Sequence, residues 1–232
     1  MKTEPALLTK KKYVIIAAAG FGTRMNVSVP KQFLPLKGTP VIVHTILSFL
    51  KAWKDAEFIV VLPEEEFPRW EKIRKKFLKK IPIRVTKGGA TRFHSVKNGL
   101  KLVKEEGIVA IQDACRPFVS HELLIKCLES VEEKGNGIPA IDLKDSIREV
   151  MKEGTRQRNR SKYKVVQTPQ CFHVSDLKKA YQQTFQEEFT DDASVAEAAG
   201  QKIYLVEGDP LNFKITTKTD LEVAERIFPV IH

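Results

Sequence analysis

Apolar positions along the 232-residue chain follow two rhythms. The short runs YVIIAAA (13–19), EFIVVLP (57–63), IPIRVT (81–86), GIVAIQD (107–113) and GIPAI (137–141) are rich in branched side chains. They are nearly continuous, as strands covered on both faces are. Between them, over about 40–52, 64–79, 91–104 and 119–134, apolar residues recur every three or four positions and predict helices. Strands and helices taking turns in this way predict an α/β fold, Rossmann-like and doubly wound around a mostly parallel sheet. After Ile141 the rhythm breaks. The stretch DLKDSIREVMKEGTRQRNRSKYKVVQTPQ has a polar, glycine-containing middle between short alternating segments, which predicts a protruding β-hairpin arm over about 142–166. An arm of this kind commonly pairs with a second subunit. Helical patterning resumes near 174–188 and 191–199, followed by a strand KIYLVEG (202–208), an extended NFKIT (212–216) and a last helix near 217–228. No internal repeat or low-complexity linker divides the chain, so 1–232 is expected to be one domain.

Composition narrows the class. With 42% hydrophobic and 29% charged residues the chain has the balance of a globular protein. No stretch reaches the roughly 18 consecutive apolar residues of a spanning helix, and the start MKTEPALLTKKKY carries charges where a signal peptide needs an apolar region. No membrane association is expected, and a cytoplasmic location is. Three cysteines without metal-ligand spacing, Cys115, Cys127 and Cys171, suit a reducing compartment. A net charge of +10 points to anionic partners: nucleic acid, a membrane surface or phosphorylated small molecules. Much of it lies in WEKIRKKFLKK (70–80), whose lysines fall opposite an apolar helical stripe as on a solvated face. With no interleaved aromatics to stack bases, a basic nucleic-acid-binding module is the remote alternative, and no nucleic-acid partner is expected.

In an open parallel sheet, ligands bind beyond the carboxyl ends of the strands. AAAGFGTRM follows the first strand, KGGATRFHS the third and DACRP the fourth. Gly20 and Gly22 permit a tight turn whose backbone N–H groups approach an anion. A dinucleotide fingerprint would need glycine where Met25 stands and an acid where the second strand ends in Leu62 and Pro63. A phosphate loop closing on Gly-Lys-Ser/Thr is also missing from this segment. What marks the stretch instead is Arg24 followed by Lys31, with Pro30 fixing the turn. Asp113, at the end of the fourth strand, offers a hard oxygen ligand to Mg2+. Cys115 reads as a small buried thiol. The five histidines show no spacing of a zinc site or of a base beside a nucleophile. A phosphate monoester, with a second pKa of about 6, needs no base to attack. Its reaction asks for positioning and charge neutralisation by cations and a metal.

AAAGFGTRM with PKQFLPL, then GGATRFHSV, DACRP, QTPQCF, TDDAS and VEGDPLNFKIT, resemble in order and spacing the 2-C-methyl-D-erythritol 4-phosphate cytidylyltransferases of the non-mevalonate isoprenoid pathway. The match runs from Tyr13 to about Ile227. The resemblance implies a homodimeric nucleotidyltransferase that takes CTP, a polyol phosphate and Mg2+, and releases pyrophosphate. By position, Arg24 and Lys31 resemble the pair that stabilises the transition state, and Asp113 the metal ligand. Ala17, Ala18, Gly20, Gly22, Gly89, Arg92 and Ser95 fall at or beside nucleotide-binding positions. Asp113, Arg116, Thr168, Thr190 and Lys214 match positions facing the second substrate, with Ser146 and Arg160 reaching in from the partner's arm. Arg160 and Lys214 would orient the attacking phosphate. The chain departs from the family pattern at Cys115, where alanine is usual, at Ala90, where aspartate often stands, and at Ser146, where threonine is common. None of these removes a catalytic charge. A ribitol 5-phosphate cytidylyltransferase is the nearest alternative, because its loops resemble these.

Overall fold

In the computed structural model, which describes residues 10–20 and 29–231, the first apolar run forms β1 (Lys12–Ala17) in the interior of an eight-stranded sheet. Parallel neighbours flank it, β4 (Glu57–Leu62) on one side and β6 (Ile108–Asp113) on the other, with β5 (Ile83–Lys87) parallel outside β4. Strand alternation sorts the apolar residues between two layers. Val14 and Ile16 pack with Ile42, Ile46 and Phe49 of α1 (Val41–Ala52), Trp70 of α2 (Phe67–Phe77) and Leu124 and Val131 of α4 (His121–Lys134). Tyr13 and Ile15 face Phe93, Val96 and Leu100 of α3 (Arg92–Leu102), Leu177 of α5 (Val174–Ala180) and Val195 of α6 (Asp192–Ala198). Each such side chain, fully withdrawn from water, contributes roughly 1.5–3 kcal/mol, which is why continuous apolar runs settle as central strands.

The winding reverses between β1 and β6, whose last residues, Ala17 and Asp113, are register partners. This is the point at which α/β sheets bind ligands. The expected strand–helix alternation holds through α4. Beyond it, the sheet is mixed. A four-residue strand, β11 (Gln170–His173), lies antiparallel between β6 and β7 (Asn136–Asp142). It is too short, and too polar at its ends, to register in the apolar pattern. Strand β12 (Leu205–Glu207) pairs parallel to β7.

NFKIT is extended, as expected, and is docked by a bond from Ile215 N to Cys115 O (2.9 Å). Two of the expected helices need correction. The helix expected over 174–188 stops at Ala180 because Tyr181, Phe185 and Phe189 turn inward onto the ring of Phe93. The stretch 64–79 divides into a 3-10 turn (Glu64–Glu66) and α2, with Pro68 in the first turn of the α-helix. The hairpin arm is present as β8 (Ile147–Val150) and β9 (Thr155–Arg158), with Gly154 at φ +74° in the connecting turn. The chain then returns along β7 as β10 (Lys164–Val166). Two short strands, β2 (Pro35–Leu36) and β3 (Thr39–Pro40), form a further small hairpin, and the last helix is α7 (Lys218–Ile231).

Candidate functional site

At the reversal point a cavity of about 370 Å³ opens beyond the carboxyl ends of β1 and β6. One wall is Ala17, Ala18, Ala19 and Gly20, and the facing wall is Gly89, Ala90, Thr91 and Arg92 at the amino end of α3. The two walls approach closely at Gly88, where a Cβ would stand 2.6 Å from the Ala19 Cβ, and the loop folds tightly onto α3 at Gly89, where a Cβ would stand 2.3 Å from the His94 Cβ. Ser95 pins the loop, its hydroxyl accepting from Gly89 N (3.0 Å) and donating to Thr91 O (2.9 Å). Thr91 caps α3, its side chain accepting from His94 N. The opening N–H groups of the helix and the positive end of its dipole therefore face the cavity, an arrangement suited to an anion.

Lys31 also lines the cavity, on a 3-10 turn (Lys31–Phe33) preceded by Pro30. The turn is fastened to the end of β1 by buried Gln32, whose Nε2 donates to Ala18 O (2.6 Å) and, at 3.4 Å, to Gly20 O. Lys31 is thus carried on backbone that is tied to the glycine loop.

The fourth wall is Asp113, Ala114 and Cys115 with Lys214 and Thr216. Asp113 is buried, and its Oδ2 accepts from Lys214 Nζ at 3.0 Å and from Arg116 Nε at 3.2 Å. Burial alone would raise its pKa; Lys214, Arg92 and Arg116 overcome that and hold the carboxyl well below the usual range, so it is ionised. Arg116 is itself fixed by a bond from Nη1 to Asn212 O (2.7 Å). Asn212, fully buried, donates to Thr168 O (2.8 Å), and the Thr168 hydroxyl accepts from Asp113 N (3.1 Å). Burial pushes the Cys115 thiol up to about 12, opposed by the nearby lysines and Arg116, so it stays protonated. On the far side, Arg92 meets the carboxylate of Asp192 at 2.6 Å. Burial works against its charge, yet the carboxylates of Asp192 and Asp113 raise its pKa above the ordinary value.

The structure therefore gathers Ala17, Ala18, Gly20, Lys31, Gly89, Arg92, Ser95, Asp113 and Lys214 around one cavity. Arg116 and Thr168 stand behind Asp113 and hold it. Thr190 is exposed, its N–H on Glu188 O (2.8 Å), and is not in the cavity wall. Ser146 and Arg160 lie exposed on the arm, away from this chain's own cavity, with the Arg160 guanidinium on Lys144 O. Gly22 and Arg24 lie outside the described residues. Gln32, Asp192, Asn212 and Thr216 were not singled out from sequence. All four fall inside quoted motifs, Gln32 in PKQFLPL, Asp192 in TDDAS, and Asn212 and Thr216 in VEGDPLNFKIT, but nothing in the pattern says which polar residue turns inward.

Among the described residues, no three His, Cys, Asp or Glu side chains converge as a metal cage. One ionised, cavity-lining carboxylate beside a loop suited to an anion is nonetheless compatible with Mg2+, which is typically held by one or two carboxylates and the oxygens of a bound phosphate substrate. Asp113 fits that requirement. No helix among the described residues is long and apolar enough to cross a membrane.

Comparison with known proteins accords with this geometry. The sequence model of the 2-C-methyl-D-erythritol 4-phosphate cytidylyltransferases (IspD) matches residues 13–229. The enzyme of that name from Phocaeicola vulgatus is 45% identical over 92% of this chain and 98% of its own. That of Bacteroides fragilis is 46% identical over 92% and 97%. Among solved structures, 4-diphosphocytidyl-2C-methyl-D-erythritol synthase from Anaerococcus prevotii superposes with a TM-score of 0.80 at 27% identity, covering 95% of this chain and 99% of that one. The Thermus thermophilus 2-C-methyl-D-erythritol 4-phosphate cytidylyltransferase gives 0.75 at 31% identity, over 94% and 98%. A cavity at the winding reversal, lined by glycines, cations and one ionised carboxylate, thus sits in a chain matched almost end to end by these enzymes, and the chain belongs to the 2-C-methyl-D-erythritol 4-phosphate cytidylyltransferase family.

Proposed function

We propose that this chain transfers CMP from CTP to the phosphate of 2-C-methyl-D-erythritol 4-phosphate, giving 4-diphosphocytidyl-2-C-methyl-D-erythritol and pyrophosphate. The observation that carries this reading is the charge arrangement of the cavity: Lys31, Arg92 and Lys214 converge on it, with Asp113 at its floor and no histidine in its wall among the described residues. The acceptor phosphate is largely dianionic at neutral pH, so an oxygen attacks the α-phosphorus without a base while the bond to the β-phosphate breaks. Small residues at Ala17, Ala18, Gly20, Gly22 and Gly89, with Ser95, leave room for the nucleotide against backbone, and Arg92 borders it. Arg24 and Lys31 meet the charge that builds on the phosphoryl group in transit. Lys214 and Arg116, pre-aligned on Asp113, receive the acceptor phosphate, with Thr168 supporting them from behind Asp113 and Thr190 meeting the second substrate outside the cavity wall. Mg2+ held by Asp113 neutralises phosphate charge when bound.

The same proposal makes the protein a single domain over 1–232 that works as a homodimer, with Ser146 and Arg160 of the arm completing the partner's acceptor site. Support comes from the arm and the sheet edge beside it, where Val150 is 83% exposed and Met151, Tyr163, Val165 and Leu205 are also open to solvent. Exposed apolar side chains gathered on an arm and an adjoining sheet edge are the kind of surface that a second subunit covers. We place the reaction in the cytoplasm, in keeping with three free, buried cysteines. Pyrophosphate release measured with all four nucleoside triphosphates, against methylerythritol phosphate, ribitol 5-phosphate and other polyol phosphates, tests reaction, donor and acceptor together. Faster turnover of ribitol 5-phosphate would overturn the acceptor assignment, and no release from CTP would overturn the reaction.

A further inference from the structure

We propose that Asp192 is a positioning residue for the nucleotide side of the site, holding Arg92 at the cavity wall with its own carboxylate fixed by Tyr181. The inference rests on the reading of the cavity as a CTP site. Arg92 opens α3, and the positive end of a helix disfavours a cation there. A cation kept at such a place needs a compensating anion and a reason to face the cavity. Asp192 supplies the first. Its side chain is 0% exposed; Oδ2 accepts from Arg92 Nη2 at 2.6 Å and Oδ1 accepts from the Tyr181 hydroxyl at 2.7 Å. Both carboxylate oxygens are therefore committed in fixed directions.

The cavity supplies the second. The Arg92 side chain remains 27% exposed and lines it. A guanidinium carries five N–H donors in one plane, so anchoring Nη2 on Asp192 limits the directions from which the remaining donors can meet a phosphate.

The pair is framed by packed rings and buried hydrogen bonds. Tyr181 stacks on Phe93, the residue after Arg92, with ring centroids 4.8 Å apart and 20° between planes. Phe189 also stacks on Phe93, at 5.6 Å. The start of α6 is fixed by buried Gln170, whose Nε2 donates to Asp191 Oδ2 (2.7 Å) and whose Oε1 accepts from Ala193 N (2.8 Å). Gln170 is paired with Ile111 of β6, the strand that ends in Asp113. One short strand thus connects the Arg92 side of the cavity with the Asp113 side. A buried ion pair adds little net stability compared with apolar residues of the same size. What it provides here is orientation.

The test is steady-state pyrophosphate release by the full-length protein with Mg2+, varying CTP and methylerythritol phosphate separately. Asp192→Asn is expected to raise KM for CTP by about 10-fold, the scale of a misdirected charged hydrogen bond, while KM for the acceptor moves by less than about two-fold and kcat falls less than KM rises. In an Arg92→Gln background, Asp192→Asn is expected to raise KM for CTP no further, because it acts through Arg92. An unchanged KM for CTP, equal increases for both substrates, or additive increases in the double variant would each overturn the proposal. Should Asp192→Asn fail to fold, Tyr181→Phe, which leaves the ion pair in place, is expected to raise KM for CTP about three-fold, and an unchanged KM there would overturn it equally. Wild-type protein that releases no pyrophosphate from CTP would sink the functional reading itself; active wild type with unaltered variants would sink only the role of Asp192.

Discussion

Replacing Lys214 with methionine separates charge from packing at the Asp113 wall of the cavity. The stem of the side chain is kept, and what disappears is the ammonium 3.0 Å from Asp113 Oδ2. At an effective dielectric constant of about 20, the bare attraction at that distance is about 5 kcal/mol. Two observations reduce its worth to the fold: Lys214 is 38% exposed, so water screens it, and Arg116 remains on the same oxygen at 3.2 Å. The net cost to stability is therefore about 1 kcal/mol, or about 2–4 °C in Tm for a chain of this size. For the reaction, the role proposed for Lys214 toward the incoming phosphate is worth about 10²–10³ in kcat/KM, as for other fixed groups that meet transition-state charge. The two readouts should thus part company: pyrophosphate release falls by about 10²–10³ while the melting curve hardly moves. Activity within about three-fold of wild type, or a Tm loss beyond about 10 °C that accounts for the lost activity, would refute the reasoning.

Four further outcomes are expected. Gln32→Ala leaves Ala18 O and Gly20 O without their donor, so the urea midpoint should fall by the equivalent of about 1–3 kcal/mol; an unchanged midpoint would show that the 3-10 turn is held by other contacts. Asp113→Asn should lower kcat by about 10²–10³ and raise the Mg2+ concentration giving half-maximal rate, read from a metal titration. Burial lowers the pKa of His44 beneath its ordinary 6.5, so the unfolded chain binds the proton first as pH falls. The contribution of His44 should be intact above pH 6.5 and lost from there down to its folded pKa, giving a steeper acid decline in Tm than His44→Gln shows; parallel curves would contradict this. Mixed dimers of Arg160→Ala with Asp113→Ala should recover activity that neither homodimer has, since one of the two sites is then whole; confirmed heterodimers without recovery would place Arg160 outside the partner's site.

The central sheet was legible because its inner parallel strands, β1, β4 and β6, are covered on both faces, and a continuous apolar run such as Tyr13 to Ala17 has few other stable outcomes. Strand β11 was hidden for the opposite reason. Its four residues owe their conformation to ladders with β6 and β7 on either side, an influence that no local pattern records. The early end of α5 has a similar origin, since Tyr181, Phe185 and Phe189 gain more by packing on Phe93 than by continuing a helix. Among the loops, those following the strands were identified correctly as the source of cavity residues, because the winding of a parallel sheet decides where such loops must gather.

Which polar residue in those loops turns toward the site is a different kind of question, and the adjacent acids Asp191 and Asp192 show why sequence leaves it open. Both stand at the start of α6, where either carboxylate would satisfy the helix. Asp191 takes that task, accepting from Ser194 N at 2.8 Å within a capping box. With the cap assigned to one position, the next side chain points about 100° further round the helix, into the protein, where Arg92 and Tyr181 wait for it. The choice is made by Gln170, which bonds both Asp191 Oδ2 and Ala193 N and so sets the register of the turn. If that is the cause, Gln170→Leu should loosen the Arg92–Asp192 pair without touching it and reproduce the rise in KM for CTP; an unaltered KM in a folded Gln170→Leu protein would mean that the aromatic frame alone directs Asp192.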